Sequence, residues 1–126
     1  MAKRVLVVDD HVPTRALIRT ILEAEKTEQF EVFEAGTGTE CLKSADKEGP
    51  FDLILLDVNL PDINGLEIIK YVRGSPQYVN TPLIIISTEG HERDRERGLA
   101  LGASEYLVKP FAPEALVAAV RRLLGA

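Results

Sequence analysis

The chain has 126 residues, 45% hydrophobic and 28% charged, which at ~100 to 200 residues per domain fits one compact unit that buries a core without disulfides or structural metals. Ordinary Gly and Pro contents, mixed patterning and ample Val, Ile and Leu exclude collagen, coiled coil and intrinsic disorder. Fifteen basic against 20 acidic residues leave a formal charge of −5, which repels a phosphate backbone and argues against direct contact with nucleic acid.

In chain order, Lys3 and Arg4 precede only Val5 to Val8 before Asp9 and Asp10 interrupt them, too short an apolar run for a secretory leader. Val5-Leu6-Val7-Val8 reads as a first strand, and Leu17, Ile21 and Leu22 then recur at helical spacing. A weaker run around Phe30-Glu31-Val32-Phe33 gives a second strand. Gly36-Thr37-Gly38 lacks the third glycine and the Lys-Ser/Thr ending of a phosphate loop, so it reads as a turn and helix start. The following helix carries Cys41, the only cysteine, as a buried structural thiol with no disulfide partner, which favours a reducing compartment.

Leu53-Ile54-Leu55-Leu56 forms a third strand, entered through Asp52, and Leu66, Ile69 and Val72 a helical stripe. Leu83-Ile84-Ile85-Ile86 is a fourth strand, and the mixed signs of His91-Glu92-Arg93-Asp94-Arg95-Glu96-Arg97 read as a solvated helix face. Tyr106-Leu107-Val108 is a fifth strand, and Leu116, Val120, Leu123 and Leu124 mark a last helix running to Gly125, without room for an output domain. No stretch approaches the ~20 apolar residues that span a bilayer. Continuous rather than alternating hydrophobicity belongs to strands covered on both faces, hence a doubly wound α/β fold with a parallel sheet and helices on both sides. Right-handed crossovers bring the loops after the strands to one edge, where such sheets bind ligands at the point of topological reversal.

The chemistry-bearing residues fall at that edge. Asp9-Asp10 follow the first run, Asp57 the third, Ser87-Thr88 the fourth and Lys109-Pro110 the fifth. Crowded carboxylates repel and are tolerated by proton uptake or by a shared hard cation. Magnesium takes oxygen ligands from one or two carboxylates and keeps waters or phosphate oxygens. Zinc is poorly served, since His11 and His91 lack companion thiols or ligand spacing, and His11 reads as a solvated loop residue. A carboxylate can attack phosphorus when a metal and a cation neutralise the incoming oxygens, and Lys109 offers that compact charge. Singly, Asp9-Asp10 could cap a helix ahead of Pro13, and Ser87 and Lys109 could be surface residues. Their joint placement outweighs those readings.

With Asp9-Asp10, the run Asp57-Val58-Asn59-Leu60-Pro61-Asp62-Ile63-Asn64-Gly65, the Ser87 hydroxyl and Lys109-Pro110 in matching type, order and spacing, the chain resembles the receiver domain of two-component response regulators over essentially all 126 residues. The likeness is to the single-domain chemotaxis (CheY-like) type. It implies the flavodoxin-like (βα)5 receiver fold with strand order 2-1-3-4-5, an order carried over from the chemotaxis receiver itself. It also implies that a histidine kinase's phosphohistidine donates a phosphoryl group to Asp57. Asp10 would bind Mg2+ directly and Asp9 through water, with Asp57 and the backbone carbonyl of Asn59 as further ligands and Mn2+ as a substitute.

By the same resemblance, Ser87 donates to one phosphoryl oxygen, Lys109 pairs with another, and the Lys109-Pro110 bond is cis. Gly65 would fit a tight turn into the next helix. The added phosphoryl, about two negative charges, would draw the loop of Ser87 inward and let Tyr106 turn from solvent toward the core. The fourth helix, fifth strand and fifth helix, roughly residues 91 to 124, would then form the partner-docking face. Thr88 would narrow access to the phosphoryl group, and Asn59 and Glu89 would flank the path of the hydrolytic water, as in short-lived receivers. The implied protein is a cytoplasmic switch, monomeric or weakly dimeric, rather than a turnover enzyme. A haloacid-dehalogenase-like hydrolase would want an aspartate where Asn59 stands and a cap insertion. A pseudo-receiver that binds partners without phosphorylation would have no use for an intact acidic cluster.

Overall fold

The computed structural model describes residues 2–88 and 91–125. Strands and helices alternate as β1 (Lys3–Val8), α1 (Val12–Glu23), β2 (Phe30–Ala35), α2 (Gly38–Lys47), β3 (Leu53–Asp57), α3 (Gly65–Gly74), β4 (Leu83–Thr88), α4 (Glu92–Leu101), β5 (Glu105–Lys109) and α5 (Pro113–Leu124). The strands are parallel and ordered β2-β1-β3-β4-β5, the arrangement the resemblance implies.

Successive strand residues point to opposite faces, so each continuous apolar run feeds two layers. Leu6, Val8, Ile54, Leu56, Leu83 and Ile85 pack with Ile69 and Val72 of α3 and with Cys41 of α2. Val5, Val7, Leu53, Leu55, Ile84 and Ile86 pack instead with Ile18 and Leu22 of α1 and Leu116 and Val120 of α5. The edge strands differ: β2 alternates between buried and more accessible positions, and Tyr106 on β5 is 43% exposed. Among the described residues no helix is long and apolar enough to cross a membrane.

Two sequence expectations need correction. Leu17 is exposed, and Ile18 takes its place beside Leu22 in the buried stripe of α1. The two are neighbours about 100° apart around the helix, and Ile18, four residues before Leu22, faces the sheet. The run His91–Arg97 is not uniformly solvated, since the Arg95 side chain is only 11% exposed. The buried residue of α4 is Gly98, where a Cβ would collide with Ile85 Cδ1 and lie 3.4 Å from Ile69 Cδ1. A missing side chain thus seats α4 close to the sheet and leaves its charged positions outside.

Candidate functional site

Strand register builds the site. Val8 is level with Leu56 and Asp57 with Ile86, so Asp9, one residue past β1, lies beside Asp57 at the rim, with its N–H bonded to Ala35 O at 3.0 Å. Lys109 is level with Thr88 and Val108 with Ser87. Alternation sends Asp9, Asp57 and Lys109 the same way as Val7, Leu55 and Leu107, toward α1 and α5. Ser87 and Tyr106 follow Ile85 toward α4.

Lys109 Nζ stands 2.6 Å from Asp9 Oδ2 and 3.2 Å from Asp57 Oδ2. Asp9 is fully buried, Asp57 nearly so and Asp10 exposed. Each of the two buried carboxylates anchors its other oxygen locally: Asp9 Oδ1 accepts from His11 N at 2.8 Å and Asp57 Oδ1 from Asn59 N at 2.8 Å. These short side chain to backbone turns fix the carboxylate orientation. Burial pushes the Asp9 carboxyl up, against the Lys109 ammonium and the His11 amide, while the charge of Asp57 adds to the rise. Burial alone would lower Lys109, but its bond to Asp9 and the charges of Asp57 and Asp9 reverse this and hold the ammonium above its ordinary value.

Oxygens of Asp9, Asp10 and Asp57 all lie within 4.8 Å of one another. Among the described residues Asp9 Oδ2 is buried with no well-aligned hydrogen bond and faces the Lys109 ammonium as an ion pair. An oxygen-only donor set with a spare buried lone pair suits a hard cation such as magnesium or manganese. The residues present therefore fit the metal implied by the resemblance.

The remaining predicted residues fall as follows. The Lys109-Pro110 peptide is cis, and so is Gly49-Pro50. His11 is the exposed N-cap residue of α1, with Nδ1 2.7 Å from Thr14 Oγ1. Thr88 is exposed and lines a cavity with Lys109, Pro110 and Phe111. Asn59 bridges Asn64, whose side chain caps α3 by accepting from Leu66 N at 2.9 Å. Gly65 is required for close approach rather than for an unusual φ: a Cβ there would lie 2.5 Å from Val58 Cα. Glu89 lies outside the described residues. Cys41 is buried in α2, where burial pushes its thiol up to about 12.

Ser87 is not joined to the Asp9–Asp57–Lys109 group. Its buried hydroxyl accepts from Arg95 Nη1 at 3.2 Å, and the same nitrogen donates to Thr88 O at 3.3 Å. The Arg95 guanidinium carbon sits 5.4 Å from the Tyr106 ring centroid. Sequence reasoning missed Arg95, whose only signal is that it stands three residues, one helical turn, before Gly98. It named Asp62 within the Asp57–Gly65 run but gave it no role; its carboxylate accepts from Gly38 N at 2.8 Å and Thr39 N at 3.0 Å.

This constellation coincides with a known family, because the response regulator receiver domain matches residues 5–121. The chain belongs to that family. As a receiver domain it is similar to the phosphate regulon transcriptional regulatory protein PhoB of Escherichia coli, 36% identical over 124 residues that cover 98% of this chain and 52% of that one. It is 39% identical to the alkaline phosphatase synthesis transcriptional regulatory protein PhoP of Bacillus subtilis, covering 98% of this chain and 49% of that one. The receiver chain thus spans about half the length of these curated relatives. Among solved structures it resembles the chemotaxis response regulator CheY4 of Vibrio cholerae, with a TM-score of 0.88 and 38% identity over 98% of this chain and all of that one.

Proposed function

We propose that this receiver domain is a phosphorylation switch in which Asp57 accepts a phosphoryl group from a histidine kinase and the α4-β5-α5 face changes its affinity for a protein target. The observation that carries this reading is the Lys109 ammonium held between the carboxylates of Asp9 and Asp57. In the transfer, an Asp57 oxygen bonds to phosphorus as the P–N bond to the donor breaks; the electron pair returns to a donor ring that is protonated on its other nitrogen and therefore leaves as neutral imidazole. Lys109 follows the negative charge from carboxylate to phosphoryl oxygen. Ser87 keeps its own proton to donate to a second phosphoryl oxygen, because its bond with Arg95 uses only a lone pair.

Asp10, Asp57, the carbonyl of Asn59 and, through water, Asp9 would hold Mg2+ or Mn2+. Bound there, the cation supplies charge neutralisation and orients the phosphoryl oxygens. Asn59 flanks the hydrolytic path and Thr88 narrows it, and the resemblance adds Glu89 to the residues that set the lifetime of the phosphorylated state. The protein works in the cytoplasm as a monomer or weak homodimer, and its cycle is one phosphoryl per chain rather than turnover of a substrate.

The test is incubation with magnesium and a small phosphodonor such as acetyl phosphate. One phosphoryl per chain at Asp57, abolished by Asp57→Asn, is the expected result. Label persisting on another residue, or catalytic turnover of phosphate esters, would overturn the assignment.

A further inference from the structure

Ser87 and Tyr106 sit on neighbouring strands, both turned toward α4, and the register sets Tyr106 level with Ile85, two residues before Ser87. What spans the gap is Arg95. Gly98, one turn further along α4, lets the helix lie close enough for this side chain to turn inward. The guanidinium donates to Ser87 Oγ and Thr88 O, covers the Tyr106 ring and meets Glu92 Oε1 at 3.4 Å. A charge this enclosed is tolerated because acceptors and an aromatic face surround it.

We propose that Arg95 is the positioning residue that couples Ser87 to Tyr106, holding the hydroxyl on the α4 side and the ring outward in one state and releasing both together in the other. This rests on the switch reading above. If Ser87 turns toward a phosphoryl group on Asp57, Arg95 loses an acceptor, and the accompanying movement of Thr88 removes a second. A guanidinium without those acceptors is better solvated outside, and its departure uncovers the ring and empties the space beside it. The coupling is reciprocal: a ring turned inward excludes the guanidinium, so Tyr106 position and Asp57 loading must bias each other by one factor.

The experiment follows the Tyr106 ring by tyrosine-selective NMR, with solvent paramagnetic relaxation reporting its exposure. Parent, Arg95→Met, Arg95→Lys and Arg95→Gln are compared in magnesium alone and in magnesium with beryllofluoride, a phosphoryl mimic. In magnesium alone, Arg95→Met should raise the inward ring population at least about tenfold, since one charged hydrogen bond and one cation–π contact are lost together. Arg95→Lys, which keeps a donor and a cation, should stay near the parent. Beryllofluoride should bind Arg95→Met more tightly than parent by up to the same factor.

A ring distribution unchanged from parent in Arg95→Met, or in Arg95→Gln if the Met variant fails to fold, would overturn the proposal. Failure of beryllofluoride to bind the parent would instead count against the switch reading. The ring populations without it would still decide whether Arg95 holds Tyr106.

Discussion

Asp62 reaches back across the loop that follows Asp57 and holds the first turn of α2 through Thr39. Its Oδ2 accepts from both the Thr39 N–H and the Thr39 hydroxyl, the latter at 2.6 Å, while Oδ1 accepts from Gly38 N. Thr37 completes the same helix end by accepting from Glu40 N. The loop after β3 and the start of α2 are therefore tied by a single carboxylate.

That tie fixes a pH dependence. The Thr39 hydroxyl and the backbone amides of Thr39 and Gly38 hold the Asp62 carboxyl at about 2, below the ~3.9 of an unfolded aspartate. A depressed folded value means the contribution is complete above about pH 4 and disappears as pH falls toward 2. NMR titration of the Asp62 carboxyl should give a midpoint near 2, and Asp62→Asn should flatten the acid limb of stability in that window. A midpoint near 4 would mean the tie is not made in solution.

Magnesium is expected to raise thermal stability, because a cation that binds only the assembled carboxylates of Asp9, Asp10 and Asp57 shifts folding by mass action. At ten times its dissociation constant the gain is about 1.4 kcal/mol, a rise of about 5 °C in melting temperature. Asp10→Asn, which removes the exposed member of the cluster, should lose most of it. Unchanged melting of the parent in millimolar magnesium, together with no heat of binding in calorimetry, would end the metal assignment.

Lys109→Met should destabilise the metal-free protein by about 1 to 3 kcal/mol, since Asp9 and Asp57 are then left buried side by side without their cation. Magnesium should restore part of that loss, because it meets the same oxygens. Urea unfolding with and without the metal reads both quantities. Equal losses in the two conditions would show that lysine and metal do not share these carboxylates.

Two glycines make a matched pair. Gly65→Ala forces a Cβ against the backbone of Val58 and to 3.0 Å from Asp57 O, and should cost about 2 kcal/mol while displacing the Asp57 loop. Gly74→Ala, which meets nothing within 4 Å at the end of α3, should be neutral or stabilising by up to about 1 kcal/mol. Denaturant midpoints of both variants, with phosphodonor labelling of the first, provide the measurement.

The strands beneath two helical layers announced themselves, because β1, β3 and β4 bury both faces and so carry unbroken apolar runs. The edge strands were fainter for the same reason: β2 and β5 cover less and alternate more. The rim residues are legible because each directly follows or ends such a run, which assigns Asp9, Asp57, Ser87 and Lys109 to one edge from the sequence. The phase of α1 was not, since two adjacent apolar residues, Leu17 and Ile18, serve a stripe equally well on paper. Nor was the link between Asp62 and Gly38, which joins residues 24 apart in the chain and depends on tertiary placement. Arg95 lay hidden among charges of both signs, its inward turn following only once Gly98 is known to face the sheet.

The seating of α4 on Gly98 has one more consequence. Because this helix gains its place by having no side chain against Ile85, exposed positions such as Arg93, Glu96 and Arg97 owe nothing to the interior. Charge order along that surface can be rewritten without touching the contact that seats the helix on the sheet.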